Sequence, residues 1–208
     1  LYSSAASDVY KRQGIDQMSD RVNTTRLQEM ARAYTVSAVL YAALDVGLFT
    51  HVSNGCVKEA DLANATGLRR IDIDRLVSCA LSLDLLDWDG EELRNQADVE
   101  AYLVEGKERY AGPWMMFTRP DVPGWFEMTE RMRTPKSSRL GMYDDLTVES
   151  ARQYHKATSS IGFGAARRFV RMVDLTSRKH LLDLGGGSGA YSITAVEQFP
   201  GLKATVLD

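Results

Sequence analysis

His180-Leu181-Leu182-Asp183-Leu184-Gly185-Gly186-Gly187-Ser188-Gly189-Ala190 decides the fold of its half of the chain. Residues 181–184 predict a short buried strand. The glycines after it allow a sharp turn and a close approach to a ligand, where a Cβ would collide. Residues 190–199 read as a helix stopped by Pro200-Gly201, and a second strand runs from 202 or 203 to 207, ending on Asp208. Strand, glycine loop, helix, strand and acid make the nucleotide-binding half of a doubly wound α/β sheet. The helix N-terminus and free loop amides are positioned for a ligand's polar groups. Asp208, 19 residues beyond Gly189, is placed to accept hydrogen bonds from both ribose hydroxyls.

Glycine spacing alone leaves the nucleotide open. Gly185, Gly187 and Gly189 spell G-x-G-x-G, and with Ala190 they also satisfy the looser G-x-G-x-x-A of dinucleotide enzymes. Asp183, two residues before the first glycine, is more telling. An acid beside a pyrophosphate repels it, whereas an acid beside a cationic amino-acid ligand attracts it. S-adenosylmethionine carries an ammonium and a sulfonium and no phosphate. The plainer role for Asp183 is a carboxylate that ties down the loop by accepting amide bonds. Ser188 as a nucleophile on a strand-to-helix elbow is a third possibility. Its surroundings are off that pattern by one small residue, and His51, His155 and His180 lack the context of a base.

Upstream, residues 148–173 read as helix with a break near Ile161-Gly162, and Pro135-Lys136-Ser137-Ser138 as a loop. Between Tyr110 and Met142 stand Trp114, Met115, Met116, Phe117, Trp125, Phe126, Met128, Met132 and Met142, with Pro113, Pro120 and Pro123 interrupting them. Met and aromatic side chains adapt to varied apolar shapes, so the segment suits a pocket for a flat hydrophobic substrate or packing against neighbouring helices.

The N-terminal half is helical. Residues 25–46 read as one long helix closed by Gly47, and from Thr35 it is apolar on every face, which calls for burial all round and suggests a subunit interface. Short helices follow at 58–65 and 72–83, the second with Ile73, Leu76, Val77, Ala80 and Leu81 on one face. Asp89-Gly90, between Leu85-Leu86-Asp87-Trp88 and Glu91-Glu92-Leu93-Arg94, signals a type I′ hairpin. Two short helices and a hairpin make a winged helix-turn-helix. Between Ile71 and Asp84 three acids face one base, a net of −2, whereas a helix that meets phosphates carries the opposite sign. A structural or dimerising wing therefore fits better than DNA binding, although Arg69 and Arg70 offer local support for the latter.

Composition sets the outer bounds. Across 208 residues, 44% hydrophobic and 25% charged residues exclude disorder and collagen-like structure, and a net charge of −3 argues against a surface that grips nucleic acid. Cys56 and Cys79 are too few for a disulfide scaffold or a zinc site and read as reduced, mostly buried thiols. The longest apolar stretch, 36–49, falls short of the ~18 residues needed to cross a bilayer. No signal peptide is visible, so the expected location is the cytoplasm. The chain opens on Leu1, residues 1–13 show no period, and the natural start is expected near Met18. The last strand ends at Asp208 without neighbours in the sequence, so the chain reads as a fragment.

Residues 181–208, LLDLGGGSGAYSITAVEQFPGLKATVLD, resemble the S-adenosylmethionine loop of class I methyltransferases. From Met18 onward the order of parts is similar to the small-molecule O-methyltransferase family that includes caffeic acid and acetylserotonin O-methyltransferases and bacterial antibiotic-tailoring relatives. The resemblance implies an α/β fold with a mainly helical N-terminal part: a winged-helix dimerisation domain, then the start of a Rossmann-like doubly wound sheet truncated after its second strand. The implied divisions are a non-native or disordered leader at 1–17, the winged-helix domain at 18–109, a helical linker and substrate-pocket segment at 110–176, and the S-adenosylmethionine-binding domain from 177 to 208.

By position, the family's pattern has Gly185, Gly187 and Gly189 cradle the cofactor, Asp183 lie near its charged end, and Asp208 hold its ribose hydroxyls. Tyr154 takes the place of an aromatic residue that touches the cofactor; Thr158, four positions on, departs from the family's methionine. Trp114, Met115, Trp125 and Met128 are the acceptor-binding candidates. The general base is expected beyond Asp208, so no catalytic residue is assigned, nor any metal ligand, and His155 is expected to be exposed or to pack on its helix. The implied activity is S-adenosylmethionine-dependent O-methylation of a small hydroxylated aromatic or polyketide-like molecule by a homodimer joined through its N-terminal domain, without nucleic acid or membrane. The 208 residues by themselves are expected to be inactive. Two other readings are an NAD-dependent oxidoreductase, which Asp183 disfavours, and a winged-helix ligand-responsive regulator, which the acidic helix disfavours.

Overall fold

The computed structural model describes residues 22–134 and 147–208. The leader at 1–17, Met18, the loop at 135–138 and Met142 lie outside the described residues. The chain forms two compact units, one ending at Ala38 and one running from Val39 to Asp208.

The helix expected over 25–46 is two helices, α1 (Thr25–Arg32) and α2 (Tyr34–Asp45). At Ala33 the amide bonds to Met30 O at 3.3 Å, a three-residue turn that tightens the end of α1. No residue of α1 is buried, and α2 buries only Ala43. Its apolar stretch is thus only partly covered: Leu40 and Leu44 are half-buried, while Tyr34 and Val36 are exposed.

From Val39 onward the chain builds a helical core. Helices α3 (Leu48–Ser53), α4 (Glu59–Thr66) and α5 (Arg70–Ser82) lead into an antiparallel hairpin of β1 (Leu86–Asp89) and β2 (Glu92–Asn95), then α6 (Ala97–Tyr102). The 3.6-residue period puts Ile73, Val77 and Ala80 on one face of α5, and all three are buried. They share a core with Leu48 and Phe49 of α3, Leu62 of α4, and Leu86 and Leu93 of the hairpin. Burying each large side chain contributes about 1.5–3 kcal/mol, which sustains helices too short to persist alone. Cys79 falls on the opposite side of α5 and is exposed, while Cys56 is half-buried, so the expectation of mostly buried thiols fails at Cys79. Arg69 is engaged by Asp72 at 2.7 and 3.1 Å.

The hairpin turn is one residue later than expected. Asp89 pairs with Glu92, so Gly90 and Glu91 form the turn. Only Gly90 takes a positive φ, +67°, as a type II′ turn requires, where type I′ needs two such residues. Asn95 Nδ2 donates to Phe49 O at 2.8 Å and to Glu100 Oε2 at 2.6 Å, Ser53 Oγ donates to Glu100 Oε1 at 2.7 Å, and Lys107 pairs with the same carboxylate. These bonds fasten the hairpin and α6 to α3.

The aromatic segment folds into α7 (Gly112–Phe117), a 3₁₀ turn (Arg119–Asp121), α8 (Val122–Phe126) and α9 (Met128–Arg133). Pro113, Pro120 and Pro123 each stand in the first two positions of one of these elements, so the prolines start helices rather than interrupt them. Helix α10 (Val148–Met172) opens with a reciprocal cap, Thr147 Oγ1 accepting from the Ser150 amide and Ser150 Oγ from the Thr147 amide. It runs unbroken through Ile161-Gly162, contrary to the expected break. A Cβ on Gly162 would sit 3.3 Å from Ala190 Cβ, so the glycine serves a close helix approach.

The last elements are β3 (His180–Leu184), α11 (Ala190–Gln198) and β4 (Lys203–Leu207). The strands pair in parallel, His180 opposite Lys203 through Leu184 opposite Leu207. Helix α11 packs between α10 and this sheet. The other sheet face is bare: Leu182 is 57% and Leu184 70% exposed. Among the described residues no helix is long and apolar enough to cross a membrane.

Candidate functional site

The glycine loop joins β3 to α11. Gly185, Gly187 and Gly189 take φ of +67°, +53° and +74°, a region that L side chains rarely enter. Gly186 has an ordinary φ but no room: a Cβ there would lie 2.6 Å from Val206 Cγ1 and 2.8 Å from Asp183 Cγ. Over Gly185 the space is open among the described residues, with none of their atoms within 4 Å of an added Cβ. The loop amides are largely committed, Gly185 and Gly186 to Leu207 O at 2.7 and 3.4 Å and Gly189 to Gly186 O at 2.8 Å.

Both predicted acids lie at this loop. Asp183 Oδ2 accepts from Ser192 Oγ at 2.7 Å, and Asp208 Oδ1 accepts from the Gly187 amide at 3.1 Å. Asp183 therefore has a structural partner, though a hydroxyl rather than the amides expected for a loop tie. An open, side-chain-free surface flanked by two carboxylates fits an S-adenosyl ligand, which brings a cationic end and two ribose hydroxyls. His180 belongs to the sheet instead, its Nε2 2.8 Å from Thr205 Oγ1.

Tyr154 and Thr158 lie on α10. Tyr154 meets Phe117 and His155 edge-on, each with ring centroids 5.7 Å apart. Thr158 Oγ1 donates back to Tyr154 O at 3.0 Å and His155 O at 3.3 Å, so its hydroxyl is held by its own helix. His155 is half-buried, and its Nδ1 is enclosed.

The acceptor candidates do not converge. Trp125 and Met128 line an open cleft of about 520 Å³ with Pro120, Asp121, Gly124, Arg131 and Met132. Trp114 stacks on Phe117 at 6.1 Å, and Met115 packs against the helical core. Sequence reasoning missed Ser192, and it named Phe117 only as part of the aromatic segment, without its contact with Tyr154. Ser192 had a signal in its place, the third residue of the helix after the loop, which brings a short side chain back over the strand end.

Residues 141–208 match the O-methyltransferase domain family. A 3-hydroxy-5-methyl-1-naphthoate 3-O-methyltransferase of Streptomyces sahachiroi is 28% identical over 189 residues, covering 88% of this chain and 55% of the relative. The N,N-dimethyltransferase OxyT of Streptomyces rimosus is 22% identical over 193 residues, covering 88% and 56%. The chain spans about half the length of these curated relatives. Human N-acetylserotonin methyltransferase, solved in complex with SAM, has the same fold: TM-score 0.74 at 22% identity, over 90% of this chain and 60% of that one. Residues 141–208 are thus similar to the O-methyltransferase domain family, and the chain resembles a naphthoate O-methyltransferase along most of its length.

Proposed function

We propose that the full-length protein transfers a methyl group from S-adenosylmethionine to a hydroxyl of a small aromatic or polyketide-like acceptor. The observation that carries this reading is the acid-flanked glycine loop, open above Gly185 and lying within the residues that match the O-methyltransferase domain. The cofactor, when bound, supplies a methyl group on a sulfonium. Asp183 favours its cationic end, Asp208 accepts from its ribose hydroxyls, and Gly185, Gly187 and Gly189 keep the wall free of side chains. Tyr154 and Thr158 line the α10 side. Trp125 and Met128 receive the acceptor in their cleft, whose volume suits a small molecule.

Rate enhancement on this reading comes from positioning the acceptor hydroxyl against the sulfonium methyl together with base catalysis that takes the hydroxyl proton. Residues 18–109, with α4, α5 and the hairpin as a winged helix, serve as the dimerisation domain of a cytoplasmic homodimer; 110–176 form the pocket segment, and the cofactor domain begins at 177.

Incubating the full-length protein with methyl-labelled S-adenosylmethionine, phenols, hydroxynaphthoates and matched aromatic amines tests the proposal. Label recovered as an aryl methyl ether is the expected result. Transfer to amines alone would move the acceptor atom to nitrogen, and no transfer together with no binding of S-adenosylhomocysteine would overturn the assignment.

A further inference from the structure

His155 stands beside the glycine loop without a role in the function proposed above. Its Nδ1 is buried and has no hydrogen-bond partner among the described residues. That nitrogen is 4.0 Å from where a Cβ on Gly187 would be, so it looks onto the loop. The edge-on contact with Tyr154 fixes the ring from its own helix. A buried polar nitrogen left unpaired is costly, and such groups in folded proteins nearly always meet a partner.

The loop does not supply that partner. The Gly187 amide goes to Asp208, those of Gly185 and Gly186 to Leu207 O, and that of Gly189 to Gly186 O. Nδ1 is thus left open to a molecule bound at Gly187. Two groups approach this glycine from different elements, Asp208 from the end of β4 and His155 from α10. With Asp208 assigned to the ribose, the other end of the ligand falls to the histidine.

We propose that His155 Nδ1 hydrogen-bonds the amino-acid end of an S-adenosyl ligand seated over Gly187; this rests on the cofactor assignment above. The imidazole reads the part of the ligand that distinguishes it from a plain nucleoside. Adenosine, which lacks the amino-acid end, is indifferent to this residue.

The test is calorimetric titration of S-adenosylhomocysteine and of adenosine into the full-length wild-type protein and its His155→Ala, His155→Asn and His155→Gln variants. Asparagine carries a polar atom at about the reach of Nδ1, glutamine at about that of Nε2. His155→Ala is expected to weaken S-adenosylhomocysteine about ten-fold, the size of one good hydrogen bond, and to leave adenosine unchanged. His155→Asn restores most of the loss and His155→Gln does not. The ¹⁵N resonance of Nδ1 in the wild-type protein is expected to shift on saturation with S-adenosylhomocysteine, a readout that needs no variant. Unchanged affinity in His155→Ala with an unmoved Nδ1 resonance would overturn the proposal. Equal weakening of both ligands would also overturn it, because the residue would then only shape the loop. A wild-type protein that binds adenosine but not S-adenosylhomocysteine, or neither, removes the cofactor assignment itself and this proposal with it.

Discussion

Ser192 Oγ donates to Asp183 Oδ2 at 2.7 Å, tying the first turn of α11 to the end of β3. The glycine loop spans the gap between these two residues, so the bond closes the loop across its base. Ser192 is buried, and water does not readily replace its hydroxyl. In the full-length protein Ser192→Ala is expected to cost about 1–2 kcal/mol and to lower the thermal midpoint by several degrees. Affinity for S-adenosylhomocysteine is expected to fall with it. A variant that melts and binds like wild type would show that the bond does not brace the loop.

Gly186 is limited by space rather than by φ. An alanine methyl there meets Val206 Cγ1 at 2.6 Å and the Asp183 carboxylate below 3 Å, so the loop or these two side chains must shift. Gly186→Ala is expected to lower S-adenosylhomocysteine affinity at least ten-fold. Gly164→Ala is the matched control, on α10 with nothing within 4 Å of the added methyl. It is expected to bind normally and to be more stable by about 0.5–1 kcal/mol, the helix preference of alanine over glycine.

Gly162 and Ala190 bring α10 against the start of α11, 3.3 Å apart as Cβ positions. Gly162→Leu forces the helices apart and is expected to destabilise the full-length protein by about 1–3 kcal/mol, measured by urea unfolding. Because Ala190 is the first residue of α11, the displacement reaches the loop, and S-adenosylhomocysteine affinity is expected to drop as well. Loss of stability without loss of affinity would separate the packing from the site.

The reach of sequence reasoning follows the range of the interactions involved. The strand, loop, helix and strand of residues 180–207 are local patterns, and the structure places them within a residue or two of where the pattern puts them. The acids at 183 and 208 were legible for the same reason. Glycine at 162 suggested a break because glycine weakens helices, yet its use is a contact with a residue 28 positions later, which no local pattern reveals. The division at Ala33 was equally hidden, since alanine is a strong helix former. Ser192 and His155 gain their places only from how α11 and α10 pack on the loop, and the scatter of Trp114, Met115, Trp125 and Met128 likewise depends on tertiary packing.

Glu100 gathers the bonds that fasten the hairpin to α3. Burial pushes its carboxyl up, but hydrogen bonds from Asn95, Lys107 and Ser53 together hold it below its ordinary value of about 4.5. A lowered folded value means stability that is present above pH 4.5 and lost as pH falls through the folded value. The thermal midpoint of the wild-type protein is expected to fall more steeply below about pH 4.5 than that of Glu100→Gln, which lacks the titrating group. Parallel pH profiles for the two proteins would exclude Glu100 as a source of acid sensitivity.

Calorimetric titration of S-adenosylhomocysteine into the full-length protein, with NAD as comparator, tests the cofactor assignment most directly. Binding of S-adenosylhomocysteine alone is the predicted result, because Asp183 at the end of β3 attracts a cationic ligand and repels a pyrophosphate. Binding of NAD alone would contradict it and place the chain's chemistry with hydride transfer rather than methyl transfer.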